Sequence, residues 1–340
     1  MKNSTIKLIA IVLCTLMLLS ACGGKPASTG DELIDTANAA ASAQASLFGK
    51  KSGKLLSDNE SFPAGTSVCD WTAMAFSDLG IKDDYESYLS ELENYVTKKY
   101  AEEGGLHRSK ATEWHRIALT VMALGGNPES FGKKADGTAI NLIADGVYNF
   151  SGEDIGAQGT NAYIYALITL DARDFSLPED CRYNRDYLLN ALIESQEDGG
   201  GFGILKGSTD IDITAMALQA LAPYTGDNAA DAAIDKALTM LSNAQNNDGT
   251  FTSWDMISSE SCSQVIIALC SLGIDPKTDE RFIKNGNSVF DALMSFRLSD
   301  GSFAHGIDEK EGNNIATEQA MLALCSMIKM RDGKRLYDFR

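Results

Sequence analysis

Residues 196–221 read QEDGGGFGILKGSTDIDITAMALQAL, and this stretch decides the fold. Its first half is a loop, because Asp198 and the glycines behind it favour tight turns and lose too much entropy to sit in a helix. Its second half is a helix: Ile213, Met216, Ala217, Ala220 and Leu221 recur at helical spacing behind a polar start. The same unit returns over 245–272 with Asp248-Gly249-Thr250-Phe251, and over 297–327 with Asp300-Gly301-Ser302-Phe303. Phe202, Phe251 and Phe303 lie 49 and 52 residues apart, which marks an internal repeat.

Working outward, the step Ala217-Leu218 has counterparts at Ala75-Phe76, Ala118-Leu119, Ala166-Leu167, Ala268-Leu269 and Ala323-Leu324, separated by 43, 48, 51, 51 and 55 residues. Six units result, each long enough for two helices and two loops. The segments between them, 85–100, 140–150, 183–195, 229–243 and 282–296, are mostly amphipathic and suit an outer layer of helices. The small-residue helices suit an inner layer buried on most sides. The expected architecture is all-α: two concentric rings of six helix hairpins, an (α/α)6 toroid. An open superhelix is the alternative, since a period alone does not require closure. A sixth unit that runs close to residue 340 without a capping repeat favours the ring.

Composition agrees with one large helical body. Of the residues 44% are hydrophobic, and the 6 prolines leave the periodic segments uninterrupted. The formal charge of −18 disfavours a sequence-independent grip on nucleic acid, which relies on Lys and Arg against phosphate. At the N-terminus, Lys2 and Lys7 flank an apolar run over 8–19 that ends in Leu19-Ser20-Ala21-Cys22. This pattern resembles a bacterial lipoprotein signal. It implies cleavage before Cys22, lipid on the Cys22 thiol, and a protein held on the outer side of a membrane. The domain reading is therefore signal peptide 1–21, tether with a first or extra helix 22–58, and toroid 59–340. Cys69, Cys181, Cys262, Cys270 and Cys325 then remain, an odd number without metal-binding spacing, and read as small buried thiols.

The phenylalanines that follow Gln196, Gln245 and Arg297 by six residues, each behind Asp-Gly or Gly-Gly, resemble the repeats of squalene cyclases and protein prenyltransferase β subunits. The chain is more similar still to bacterial surface proteins built from prenyltransferase/squalene-oxidase repeats, a group often fused to a transcobalamin-like domain. Asp70-Trp71, Thr112-Glu113-Trp114, residues 210–221, residues 260–265 and residues 316–320 carry the resemblance. It implies an (α/α)6 toroid whose inner-helix starts rim a central pocket.

Five residues before each marker alanine stand Asp70, Glu113, Asn161, Asp212, Ser263 and Glu318; one residue later come Trp71, Trp114, Ala162, Ile213, Gln264 and Gln319. Carboxylates, amides and tryptophans in such a ring could hold a ligand by hydrogen bonds and aromatic faces. The expected ligand-binding set is Asp70, Trp71, Glu113, Trp114, Asn161, Asp210, Asp212, Gln264, Glu318 and Gln319. The competing account is that carboxylates at helix starts cap amides and offset the dipole.

Each catalytic version of the fold is incomplete in this sequence. Asp210-Ile211-Asp212-Ile213-Thr214-Ala215 has two carboxylates of the Asp-x-Asp-Asp-Thr-Ala acid of class II terpene cyclases, with Ile213 replacing the third; Asp212 would be its general acid. Glu260-Ser261-Cys262 falls where prenyltransferases bind zinc, yet Thr317 stands where the histidine would be, and His305 lies twelve residues earlier. Ala316-Thr317-Glu318-Gln319 lacks the thiol of a thioester site. No metal and no cofactor is expected, and the Asp-Gly loops read as turns rather than calcium sites. A glycan-cleaving pair drawn from Glu113, Asp212 and Glu318 is the enzymatic alternative. The leading expectation is a non-catalytic pocket for a small amphipathic ligand, corrinoid- or isoprenoid-like. A protein-interaction scaffold using the acidic exterior is the third class.

Overall fold

The computed structural model describes residues 28–152 and 154–340. The signal segment and the expected lipidation site Cys22 lie outside the described residues. The α-helices within them are α1 (Glu32–Leu47), α2 (Ser67–Asp78), α3 (Tyr85–Glu103), α4 (Thr112–Ala123), α5 (Thr160–Asp171), α6 (Arg185–Glu194), α7 (Ile211–Leu221), α8 (Asn228–Ala244), α9 (Ser259–Ser271), α10 (Val289–Ser295) and α11 (Asn314–Met330). A short π-helical segment, Ala144–Tyr148, stands where the second unit's spacing predicts an outer helix over 140–150.

Helices α2, α4, α5, α7, α9 and α11 form the inner ring. Each packs on the next, and α11 packs back on α2, so the ring is closed. The outer elements follow their inner partners along the chain: the π-helical segment lies on α4, α6 on α5, α8 on α7 and α10 on α9. The outer partner of α11 is α1, from the opposite end of the chain. The segment 32–47, which composition assigns to the tether, is thus a member of the ring. Gln44 fixes it there, its Nε2 donating to Thr72 Oγ1 at 2.9 Å on α2 and to the Asn314 carbonyl at 3.1 Å on α11. Asp31, the cap of α1, pairs with Arg331 just beyond α11.

The Asp-Gly loops show why the repeat has this sequence. Gly200, Gly249 and Gly301 have φ of +88°, +86° and +95°. A Cβ there would meet the Lys236 carbonyl at 2.7 Å, the Ser288 carbonyl at 2.9 Å and the Ala39 carbonyl at 2.9 Å, so both sterics and backbone require glycine. The three neighbours belong in turn to α8, the start of α10, and α1: every loop presses on the outer element of the next position round the ring. The motif glutamines fasten the same contact. Gln196 Nε2 donates at 2.8 Å to the carbonyls of Gly200 and Ala233, and Gln245 Nε2 at 3.0 Å to those of Gly249 and Phe282. Asp248 and Asp300 accept from the amide and hydroxyl of Thr250 and Ser302, the turn geometry expected for these loops. Phe202, Phe251 and Phe303 are fully buried between the layers.

Candidate functional site

A cavity of about 420 Å³ lies inside the ring. Ser67, Val68 and Trp71 of α2, Tyr165 of α5, Met216 of α7, Gln264 of α9, and Ile315, Glu318, Gln319 and Leu322 of α11 line it. Tyr337, from the segment after α11, completes the lining. The inner helices are parallel, so their starts surround the mouth, while Tyr337 closes the far end. That tail is held by the Phe339 amide on the Ala172 carbonyl at 3.0 Å and by Lys329 Nζ on the Leu336 carbonyl at 2.6 Å.

Counting from the residue that caps each inner helix explains the lining. The caps are Thr66, Ala111, Gly159, Asp210, Ser258 and Asn313. Tyr165, Met216, Gln264 and Gln319 are each the sixth residue after a cap; Trp71 and Glu318 are each the fifth. The Ala-Leu marker lies seven residues from the cap in α4, α5 and α7, nine in α2, and ten in α9 and α11. The sequence register therefore slips by about one helical turn between α7 and α9. Five residues before the marker, it picks Asp212 near the mouth on α7 but Glu318 a turn deeper on α11. The counterpart of Asp212 on α9 is Glu260, which the marker misses.

Of the expected ligand contacts, Trp71, Gln264, Glu318 and Gln319 are brought together on the cavity wall. The others are placed elsewhere. Asp70 is fully buried away from the cavity, accepting from the Gly65 amide at 3.0 Å, Tyr88 Oη at 2.7 Å and Arg116 Nε at 2.9 Å. It is the fourth residue after its cap, where Thr214 and Thr317 also hold the preceding loop, accepting from the amides of Phe202 and Phe303 at 2.8 and 3.0 Å. Burial pushes the Asp70 carboxyl up, while Arg116, Tyr88 and Gly65 pull it back. With three donors on two oxygens, one of them a guanidinium, the pair is ionised. Trp114 packs between the layers on Phe150 and donates to Tyr100 Oη at 2.7 Å. Glu113 pairs with Arg116 at 2.9 Å, and Asn161 accepts from Gln158. Asp210 caps α7 through the Ile213 amide and accepts from Ser253, beside a separate surface groove. Asp212 sits near the Ser261 hydroxyl with one oxygen buried and unpartnered, and burial pushes its carboxyl up to about 6. It does not line the cavity.

The wall combines aromatic and polar side chains. Trp71 stands between Tyr165 and Tyr337, each ring centre 6.1 Å from that of the indole. Two wall amides belong to a ladder: Gln219 Nε2 donates to Gln264 Oε1 and Gln264 Nε2 to Gln319 Oε1, both at 3.0 Å. Glu318 is 3% exposed, has one oxygen buried without a partner, and makes no ion pair among the described residues. Burial first, then the nearby charge of Glu260, pushes its carboxyl well above the usual range. At the mouth, His305 Nδ1 lies 2.8 and 2.9 Å from the two oxygens of Glu260. Cys262, the thiol of the zinc-like motif, is buried beside the Phe251 backbone and pushed up to about 12. Imidazole and carboxylate thus pair with each other, and the thiol lies apart from them on the Phe251 backbone. Ser67, Val68, Tyr165, Met216, Ile315, Leu322 and Tyr337 are the lining residues that the marker register passes over; counting six from the readable cap Asp210 finds Met216.

A closed double ring of helices around one cavity defines the class of protein: an α/α toroid. Residues 152–339 match the prenyltransferase alpha-alpha toroid domain, and the chain belongs to that family. No curated protein matches the sequence. Among solved structures, the type II terpene cyclase MstE from Scytonema is similar, with 12% identity, a TM-score of 0.53 and coverage of 88% of this chain and 99% of that one. A variant of that cyclase in complex with its substrate geranylgeranyl dihydroxybenzoate gives 14% identity, a TM-score of 0.50 and coverage of 88% and 97%. The ent-copalyl diphosphate synthase from Streptomyces platensis gives 18% identity and a TM-score of 0.49 over 76% of this chain. The chain spans about half of that synthase, 49% of its length.

Proposed function

We propose that the protein binds a small amphipathic molecule in the toroid cavity while held by lipid on Cys22 at the outer face of a bacterial membrane. One observation carries the ligand reading: a cavity of about 420 Å³ lined by three aromatic rings together with Glu318, Gln264 and Gln319. That volume is at the small end of the about 300–1,000 Å³ typical of ligand sites, which suits an isoprenoid-sized molecule better than a corrinoid macrocycle. The isoprenoid class is also what the Scytonema cyclase binds. Exposed Ile204, Leu205, Trp254, Met256, Ile307 and Ile315 stand on or before the starts of α7, α9 and α11, and give the mouth an apolar rim. Such a rim suits ligands that partition into lipid.

Glu113, Asp212 and Glu318 do not converge on the cavity, which removes support from a glycan-cleaving pair. Acid catalysis on an isoprenoid is the second reading, and the acid it would use is Glu318, since Asp212 is not on the wall. The test is a thermal-shift panel of isoprenoid alcohols and acids on the purified protein. A ligand should raise the melting temperature and lose affinity at least about tenfold in Trp71→Leu; no shift across the panel would count against binding. Cys22→Ala should move the protein from the membrane to the soluble fraction, and an unchanged membrane fraction would overturn the anchor.

A further inference from the structure

We propose that the polar end of the cavity's ligand is an organic cation, an alkylated ammonium held between the carboxylate of Glu318 and the faces of Trp71, Tyr165 and Tyr337. This inference rests on the cavity being a ligand site and adds the chemistry of the ligand's head.

The aromatic and acidic groups on the wall and around its mouth all favour positive charge. Aromatic faces carry negative charge density and attract a cation within about 6 Å of the ring centre. The three rings contact one another and share the cavity with Glu318. Burial first, then the Glu318 carboxyl among other groups, pushes both tyrosine hydroxyls up. Among the described residues no Lys, Arg or His lines the cavity. Glu113, Asp212 and Glu260 occupy the second position after their caps around the mouth, and the whole chain carries −18. A phosphate or carboxylate head would enter against this field with no cation to receive it. A buried carboxyl without a donor is costly when ionised, so the empty site keeps its proton. An ammonium head removes that cost by replacing the proton with a fixed positive charge.

The proton supplies the test. Cation binding displaces the Glu318 proton, so affinity should rise with pH. The other titratable groups facing Glu318 are Glu260 of α9, with His305 on its far side, Cys69 of α2, Tyr165 of α5 and Tyr337 of the tail. Burial pushes Cys69 and Tyr165 up to about 12, so neither thiol nor phenol competes with Glu318 as the group on the wall that gives up a proton. Calorimetry on the purified protein would compare choline with dimethylbutanol, its uncharged carbon isostere, in buffers of different ionisation enthalpy, with geranylgeraniol as a third probe. The expected result is choline binding at least about tenfold tighter than the isostere, with proton release, and tightening as pH rises. Glu318→Gln should remove both the preference and the pH dependence while the melting curve persists. Equal binding of the two isosteres, retained preference in Glu318→Gln, or no choline binding would overturn the proposal. Binding of geranylgeraniol alone would overturn it while leaving the amphipathic-ligand reading standing; binding of no probe would count against both.

Discussion

Asp70 and Glu318 are both acids on inner helices, both almost fully buried, and they do opposite things. Asp70 has its oxygens filled by Gly65, Tyr88 and Arg116, and so joins α2 to its own loop, to α3 and to α4. Glu318 faces the hollow with no donor supplied by the protein. A satisfied buried acid is a structural fastener; an unsatisfied one at a cavity wall is a place for a ligand. Burial alone does not separate the two, and the partner set does.

Substitution at Asp70 should give the largest effect. Asp70→Ala leaves the Arg116 guanidinium buried with only Glu113 and the Gly65 carbonyl to meet it, and should cost about 3–5 kcal/mol in urea denaturation. A loss below about 1 kcal/mol would erase the contrast by making the Asp70 network dispensable.

Asp212, between the two extremes, should give the next largest. Its carboxyl goes from 3.8 when unfolded to about 6 when folded. A raised acid favours the folded state below the lower value, and that advantage is lost as pH rises through the upper one. Stability should therefore fall by up to about 3 kcal/mol between about pH 4 and about pH 6 on account of this group. Asp212→Asn should flatten that part of the profile, and an unchanged slope would show that Asp212 is solvated.

Glu318→Gln should give the smallest change in stability when measured below the unfolded value of 4.5, less than about 1 kcal/mol, because the amide resembles the neutral carboxyl present there in both states. The wild type should weaken as pH rises above the unfolded value of 4.5, since its folded acid holds the proton longer, and the variant should not. A variant as damaged as Asp70→Ala would mean that Glu318 has a structural partner after all.

Much of the fold was legible because its signals are local. Glycines at 200, 249 and 301, the apolar period behind them and the repeat spacing each depend on a few neighbouring residues, and they predict an all-α body of six hairpins. The site was legible only in part. The Ala-Leu marker follows helix packing, which tolerates a shift of one turn; the cavity face follows the caps, which do not. Glu318 and Gln319 were found by a marker that lies one turn deeper on α11 than on α7, whereas Asp70 and Trp114 were counted as pocket residues although their side chains turn between the layers.

By itself, then, the sequence determined the repeating unit, its helices, and the loops that only glycine can make, since backbone sterics and hydrophobic period act over a few residues. Tertiary structure decided what closes and fills the ring. Helix α1 becomes the partner of α11, Tyr337 reaches the far end of the cavity, and Glu318 rather than Asp212 faces inward. These depend on groups hundreds of residues apart meeting around a closed circle, and no local pattern encodes where such a circle ends.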